Sequence, residues 1–148
     1  MRNNGFNMDD YKKIEIKHDG EVQFEFNVRR ISSDEIFKCW ERAEIFSPRR
    51  NSKKKNAKHD KLIRFRFRLM VIYAATIDED KAKIWDNREI QQKYGAKNRT
   101  ELIDVTLKGD KYKDAIIGVI CEFSGVDIDI LFDEIVLNKA FARLGGMK

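Results

Sequence analysis

The sequence is poor in the residues that build catalytic and metal sites. Among its 148 residues are two histidines, His18 and His59, and two cysteines, Cys39 and Cys121. Their spacing is not that of a zinc site, and a serine or cysteine nucleophile would lack a nearby histidine base. No glycine-rich phosphate-binding motif is present either. We therefore predict that the protein is not an enzyme and that it holds no metal and no cofactor.

Proline and long apolar runs are also scarce. A single proline, Pro48, and eight glycines argue against a low-complexity chain. The longest dense apolar run, 69–75, is far too short to cross a bilayer, and residues 1–5 show no signal-peptide core. The two cysteines lie in apolar stretches, as is typical of reduced, buried side chains. These shortages predict a cytoplasmic protein without membrane contact or disulfide.

Charge, by contrast, is abundant and unevenly placed. The chain is 37% charged and 42% hydrophobic, which suits one domain spanning 1–148 with a very polar surface. Ten lysines and arginines but only one acid, Asp60, lie in 49–68. Residues 48–60 are predicted to form a mobile basic loop. The candidates for electrostatic contact are Arg49, Arg50, Lys53, Lys54, Lys55, Lys58, Arg64, Arg66 and Arg68.

Apolar and polar residues alternate through 11–28, which predicts a β-hairpin over 11–31 with one buried face. Asp19-Gly20 marks its turn. A two-residue loop would set Ile16 opposite Gln23 and mix apolar with polar side chains on one face. A three-residue loop from His18 to Gly20 avoids this and is predicted instead. Its pairs would be Lys17 with Glu21, Ile16 with Val22, Ile14 with Phe24, and Lys13 with Glu25.

The remainder of the chain is predicted to be mainly helical. A capping box, Ser32-x-x-Glu35, opens a helix over 33–47. Residues 61–77 fit either a strand or a helix, and their length favours the helix. Further helical segments fill 61–146, with Asp110 as a candidate cap. The predicted fold is therefore α+β, a small antiparallel sheet followed by about five helices.

The second half of the chain carries an ordered series of landmarks at these predicted helix ends. They are Tyr73-Ala74-Ala75-Thr76, Lys93-Tyr94-Gly95, Asn98 to Leu107, Gly109-Asp110-Lys111-Tyr112 and Phe123-Ser124-Gly125-Val126-Asp127. From about residue 70 to residue 136, their order resembles that of the XkdN-like family of phage tail assembly chaperones. Each landmark also has a structural interpretation, as a helix end or a core residue.

The resemblance implies a function in protein binding. Such chaperones bind the very long helical tape measure protein, keep its apolar stretches from aggregating and help to recruit tail tube subunits. The expected partners are thus the tape measure protein and the tail tube protein, in the cytoplasm of the host bacterium. No small-molecule substrate is expected.

Two apolar strips are candidates for client binding. One lies on the predicted last helix and the other in the stretch that follows the basic loop. Their residues are Leu131, Ile135, Phe141 and Leu144, and Phe65 and Phe67. Two alternatives remain. Cations interleaved with phenylalanines in 49–68 could bind nucleic acid, or the chain could be a structural tail component.

Overall fold

The computed structural model describes residues 10–45, 57–127 and 129–130. Within them a two-stranded antiparallel sheet is followed by six helices, so the predicted α+β class is confirmed. The elements are β1 (Lys12–His18), β2 (Glu21–Val28), α1 (Ser33–Ile45), α2 (Ala57–Ala75), α3 (Asp78–Asp80), a π-helical turn (Lys81–Trp85), α4 (Arg88–Lys93), α5 (Arg99–Thr106) and α6 (Asp110–Ser124).

The hairpin turn has two residues, so the predicted three-residue loop is wrong. Asp19 and Gly20 both have positive φ, 54° and 83°, as in the type I′ turn whose twist matches the flanking strands. A regular ladder beyond this turn would pair Ile16 with Gln23. A β-bulge next to Ile16 shifts the register, so Ile16 pairs with Phe24 instead. The bulge therefore restores the apolar face that the longer loop was expected to provide.

This register also changes the predicted cross-strand pairs. Lys13 stands opposite Asn27 and Lys17 opposite Val22. Lys13 still approaches Glu25 diagonally, with Nζ 3.9 Å from Oε2. Val22, which was expected on the buried face, is exposed. The bulge thus separates the buried part of the hairpin from its solvated tip.

Trp85 is the centre of the core beneath the hairpin. Its buried ring lies 5.4 Å from the ring of Phe24 and 5.2 Å from that of Phe26, centroid to centroid. Its Nε1 donates to Thr76 Oγ1 at 3.0 Å, and its carbonyl accepts from Gln91 Nε2 at 2.8 Å. An isolated hairpin is marginal in water, so this packing stabilises the sheet.

The end of β2 is hydrogen-bonded to the segment that follows α2. Arg29 N donates to Ala75 O at 2.8 Å, and Ile77 N donates to Asn27 O at 3.0 Å. Asn27 N also donates to Asp80 Oδ2 at 2.7 Å. These bonds connect chain segments about fifty residues apart and fix the C-terminal end of α2 against the sheet.

Helix α1 begins with the predicted capping box. Ser32 Oγ accepts from Glu35 N at 3.1 Å, and Glu35 Oε1 accepts from Ser32 N at 2.9 Å. Trp40, on the buried face of α1, packs edge-on against Phe67 of α2 with ring centroids 5.3 Å apart. Residues 46–47 of the predicted helix lie outside the described part.

Helix α2 is continuous, which settles the ambiguity of 61–77 in favour of the helix. It begins at Ala57, so the last residues of the predicted loop 48–60 are helical. The alternation of apolar and charged residues in this stretch also suggests a strand. The buried residues instead recur at helical spacing, since Ile63, Phe67 and Val71 lie four residues apart and are all buried. Packing of α2 against α1, α5 and α6 thus decides that this segment is helical.

The ends of the later helices follow the predicted signals with one exception. Gly95 follows α4 with φ of 71°, the left-handed conformation that glycine tolerates. Asn98 Oδ1 accepts from Glu101 N at 2.9 Å and caps α5. Asp110 does not cap α6: Gly109 holds the cap position and Asp110 lies in the first turn. Of the predicted last helix only residues 129–130 are described, and they are helical.

Glu35 makes the start of α1 sensitive to pH. Its hydrogen bond from Arg29 Nη2, 2.7 Å long, and the cap at Ser32 hold the pKa of Glu35 below its ordinary value of 4.5, against the opposing effect of partial burial. Because the pKa of Glu35 is lower in the folded protein than in the unfolded chain, its ionised form stabilises the fold at pH values above the unfolded pKa. This stabilisation is lost as the pH falls through the pKa of the folded state.

We expect Glu35→Gln, which keeps the capping acceptor, to melt below the wild type at neutral pH. The difference should shrink as the pH falls below about 4.5. Thermal unfolding followed by circular dichroism from about pH 7 to about pH 3 measures this. A difference in melting temperature that stays constant across this pH range would show that ionisation of Glu35 does not stabilise the fold.

Candidate functional site

Metal-ligating side chains and cysteine thiols are the first reactive groups to consider among the described residues. No group of three or more His, Cys, Asp or Glu side chains among them could hold a metal ion. Cys39 and Cys121 are free and buried, as expected. Burial raises the pKa of the Cys39 thiol to about 11 and also raises that of Cys121. Both thiols therefore stay protonated and act as small apolar side chains.

The cation-aromatic stretch on α2 is divided between core and surface. The Arg68 side chain is 16% exposed, with Nε 2.6 Å from Asp114 Oδ1 and Nη1 3.6 Å from Asp110 Oδ1. Phe67 is 2% exposed and packs on Trp40. Arg68 thus joins α2 to α6, and Phe67 joins α2 to α1. The prediction of Phe67 as a client contact is therefore wrong, because this side chain has almost no accessible surface.

The other predicted contact residues fall into two groups. Arg64 is exposed and Arg66 half-buried on α2, and Lys58 lies in the first turn of that helix. The rest lie outside the described residues: Arg49, Arg50, Lys53, Lys54, Lys55, Leu131, Ile135, Phe141 and Leu144. The described surface therefore retains Phe65, Arg64 and Arg66 of the predicted set.

Phe65 lines a cleft between α2 and α5, here called the α2–α5 cleft. Its volume is about 440 Å³. It is lined by Phe65, Arg66, Leu69, Met70, Asn98, Thr100, Glu101 and Asp104. The α2 wall is largely apolar and the α5 wall is polar. Such a two-sided cleft matches an amphipathic segment better than a wholly apolar ligand.

A buried lysine supports this cleft. Lys113 is 1% exposed, and its Nζ lies 2.9 Å from Asp104 Oδ1 and 5.8 Å from the centroid of the Phe65 ring. It thereby positions one residue from each wall. Lys113 is not among the residues predicted to be functional, although it precedes the buried Ile116, Ile117 and Ile120 at helical spacing. That pattern would have indicated a buried ammonium in need of a partner.

A second groove, here called the lysine groove, lies between the hairpin and helices α5 and α6. Its volume is about 420 Å³. It is lined by Ile16, Lys17, Gln23, Phe24, Tyr94, Val105, Thr106, Lys108 and Tyr112. Phe24 and Tyr94 meet edge to face with ring centroids 6.5 Å apart. The landmarks Tyr94 and Tyr112, far apart in the sequence, thus converge on one surface.

Among the described residues, no helix is both long enough and apolar enough to cross a membrane.

Comparison with known proteins adds one positive finding. The family described as phage XkdN-like tail assembly chaperone protein, TAC, matches residues 1–136. Searches of curated proteins and of solved structures gave no significant match. The family match includes the hairpin and α1 as well as the helical landmarks, and so covers most of the chain. This chain therefore belongs to the XkdN-like family of phage tail assembly chaperones.

Proposed function

We propose that this protein binds the tape measure protein of a phage tail before assembly, keeps it soluble and helps to recruit tail tube subunits. Family membership supports the general role in tail assembly. The observation that carries the specific proposal is the α2–α5 cleft, where an apolar wall faces a polar one on the protein surface. The binding takes place in the host cytoplasm and involves no catalysis.

The cleft suits helix-in-groove recognition. A client helix would place its apolar side chains against Phe65 and Met70, the two half-buried apolar residues of the α2 wall. Its polar flank would meet Thr100 and Glu101 on α5. In such complexes, apolar anchors supply most of the affinity and the polar rim sets orientation. Many copies on one long client would coat it reversibly even when each contact is weak.

Nucleic-acid binding through 49–68 receives less support from the described part of this segment. Base stacking needs accessible aromatic rings, but Phe67 is buried against Trp40. Arg68, which would contact a phosphate, is instead paired with Asp110 and Asp114 on α6. Two of the interleaved cations and aromatics therefore serve packing between helices.

Binding to a co-expressed tape measure protein tests the proposal, with substitutions on both walls of the cleft. We expect Met70→Asp on α2 and Thr100→Arg on α5 each to weaken retention of the client by at least about tenfold, ~1.4 kcal/mol. The matched control is Gln92→Arg on α4, an exposed position that does not line the cleft. Circular dichroism verifies that each variant keeps its helices.

Washing at low and high salt distinguishes the candidate functions. Apolar client binding should survive high salt, whereas phosphate contacts weaken steeply with ionic strength. Retention of the tape measure protein at high salt, lost in both cleft variants, is the expected result. Client binding by both variants at wild-type strength would reject the cleft. Capture of nucleic acid alone, at low salt only, would reject the chaperone function.

A further inference from the structure

The two walls of the α2–α5 cleft carry charges of opposite sign. On the α5 wall, Glu101 is exposed, and Asp104 follows one turn later with a side chain that is 40% exposed. Glu101 Oε1 accepts from Lys97 N at 2.8 Å, a hydrogen bond that leaves its negative charge in place. The buried Lys113 partly balances Asp104, so Glu101 supplies most of the charge of this wall. The one cation among the described lining residues is Arg66, on the α2 wall.

Two contacts show that α2 and α5 run in opposite directions along the cleft. Arg99 Cζ, in the first turn of α5, lies 4.5 Å from the centroid of the Tyr73 ring, near the end of α2. Further along α5, Asp104 binds Lys113, whose Nζ lies 5.8 Å from the centroid of the Phe65 ring. The cleft therefore has two distinguishable ends, a Tyr73 end and a Phe65 end.

The apolar surface of α2 continues beyond the cleft at the Phe65 end. Leu62 precedes Phe65 by three residues and is 40% exposed. From Leu62 to Met70 the accessible apolar side chains of α2 extend over about 12 Å of its axis. A strip of this length matches about two turns of a client helix.

A helix in such a cleft places its apolar stripe on the floor and one flank against each wall. Turning the helix end to end keeps the stripe on the floor but exchanges the flanks between the walls. Walls of opposite charge therefore distinguish the two directions of a client helix whose flanks also carry opposite charges. In one direction the charges attract, and in the other like charges face each other.

We propose that the cleft recognises an amphipathic client helix with basic residues along one flank of its apolar stripe and acidic residues along the other, and holds it in one direction. The basic flank lies against Glu101 and Asp104, and the acidic flank against Arg66. This inference rests on the proposed client binding and specifies the chemistry of the bound segment. Copies bound to successive segments with the same flank order all point the same way along the client.

Three synthetic peptides of about 20 residues, long enough to form a helix, test this recognition. All three share one apolar stripe. The first carries lysines on its left flank and glutamates on its right, seen from its N-terminus; the second has these flanks exchanged; the third carries glutamates on both. Fluorescence anisotropy measures their binding to the full chain at about 0.15 M salt, where charges beyond about 8 Å are screened.

We expect the first and second peptides to bind equally well and the third at least about fivefold more weakly, because its glutamates face Glu101 and Asp104. The net charge of the chain, +5, acts in the opposite sense by attracting the third peptide. A preference for the mixed flanks therefore reports the walls of the cleft and not the net charge. Equal binding of all three peptides would overturn the inference.

Glu101→Gln tests the α5 wall, since it removes the charge and keeps an acceptor for Lys97 N. We expect the preference for the first peptide over the third to fall at least about threefold. The matched control is Glu89→Gln on α4, an exposed position that does not line the cleft. A preference in Glu101→Gln as large as in this control would overturn the assignment of the basic flank to α5.

A nitroxide label at the N-terminus of each mixed peptide reports its direction. In NMR spectra of the full chain the label broadens the nearest backbone amide signals. The amides of Leu62 and Tyr73, about 16 Å apart along α2, mark the two ends of the cleft. We expect the first peptide to broaden one of these signals and the second peptide the other. Broadening of the same signal by both peptides, or of both signals equally, would overturn the fixed direction.

The client experiment separates this inference from the proposed function. If the tape measure protein is retained through the cleft but the peptides show no preference, the fixed direction is rejected and client binding stands. If neither the tape measure protein nor any peptide binds, the proposed function is rejected and this inference with it.

Discussion

Replacing Trp85 with alanine should lower the free energy of unfolding by about 4 kcal/mol, since large-to-small changes of buried aromatics cost about 3–5 kcal/mol. The ring is fully buried between Phe24 and Phe26 and also connects the hairpin to the helices. Its loss leaves a cavity under the sheet and removes the hydrogen bond to Thr76. Urea unfolding followed by circular dichroism measures the effect without interference from Trp40.

The matched control is Trp85→Phe. It keeps an aromatic ring beneath the hairpin but removes the Nε1 donor and part of the volume. Thr76 Oγ1 still donates to Ile72 O at 2.7 Å, so its hydroxyl stays hydrogen-bonded. We expect a loss of about 1–2 kcal/mol, well below that of alanine. An alanine variant as stable as the phenylalanine variant would contradict the central position of this ring in the core.

Replacing Asp104 with asparagine should destabilise the protein more than replacing its partner Lys113 with methionine. Asp104→Asn leaves the buried ammonium of Lys113 without its carboxylate, 2.9 Å away in the wild type. Breaking a fully buried pair costs about 3–5 kcal/mol. The Asp104 side chain is 40% exposed, so water reaches the site and we expect about 2 kcal/mol.

Lys113→Met removes the buried charge itself and keeps the side-chain length. Replacement of a buried ion pair by apolar groups is often neutral or stabilising, although Asp104 then remains as a solvated carboxylate. We expect a change within about 1 kcal/mol of the wild type. Urea unfolding of both single variants and of the double variant gives their coupling energy. A larger loss for Lys113→Met than for Asp104→Asn would show that the ammonium contributes through contacts other than this pair.

The two experiments also bear on function, because the residues lie beneath the two surfaces. Trp85 supports Phe24, which lines the lysine groove. Lys113 supports Phe65 and Asp104, which line the α2–α5 cleft. Binding measurements with the surface variants should therefore be made at temperatures where these core contacts are intact.

Some elements could be predicted because their cause is local. The capping box of α1 depends on Ser32 and Glu35, three residues apart, and both of its hydrogen bonds form. The end of α4 depends on a glycine able to adopt positive φ at Gly95. The family was also recognisable from the order of such landmarks, as the match over residues 1–136 confirms.

The predictions that were wrong concern interactions between residues far apart in the chain. Both hairpin loops could keep the apolar face together, and the choice depended on a bulge that pattern alone does not reveal. The sequence predicts Arg68 as a candidate for electrostatic contact with a partner molecule, but the side chain is paired with Asp114, which is 46 residues away in the chain. Phe67 alternates with arginines in sequence, but the helical period turns it towards Trp40.

The sequence by itself therefore determined the class of fold, the helix boundaries set by caps and glycines, and the family. These follow from local backbone preferences and from the period of apolar residues. Only the tertiary structure decided which charges are paired, which rings are buried and where the two grooves lie. Each of these depends on contacts between residues brought together from separate elements, since desolvation and ion pairing are set by the neighbours in space.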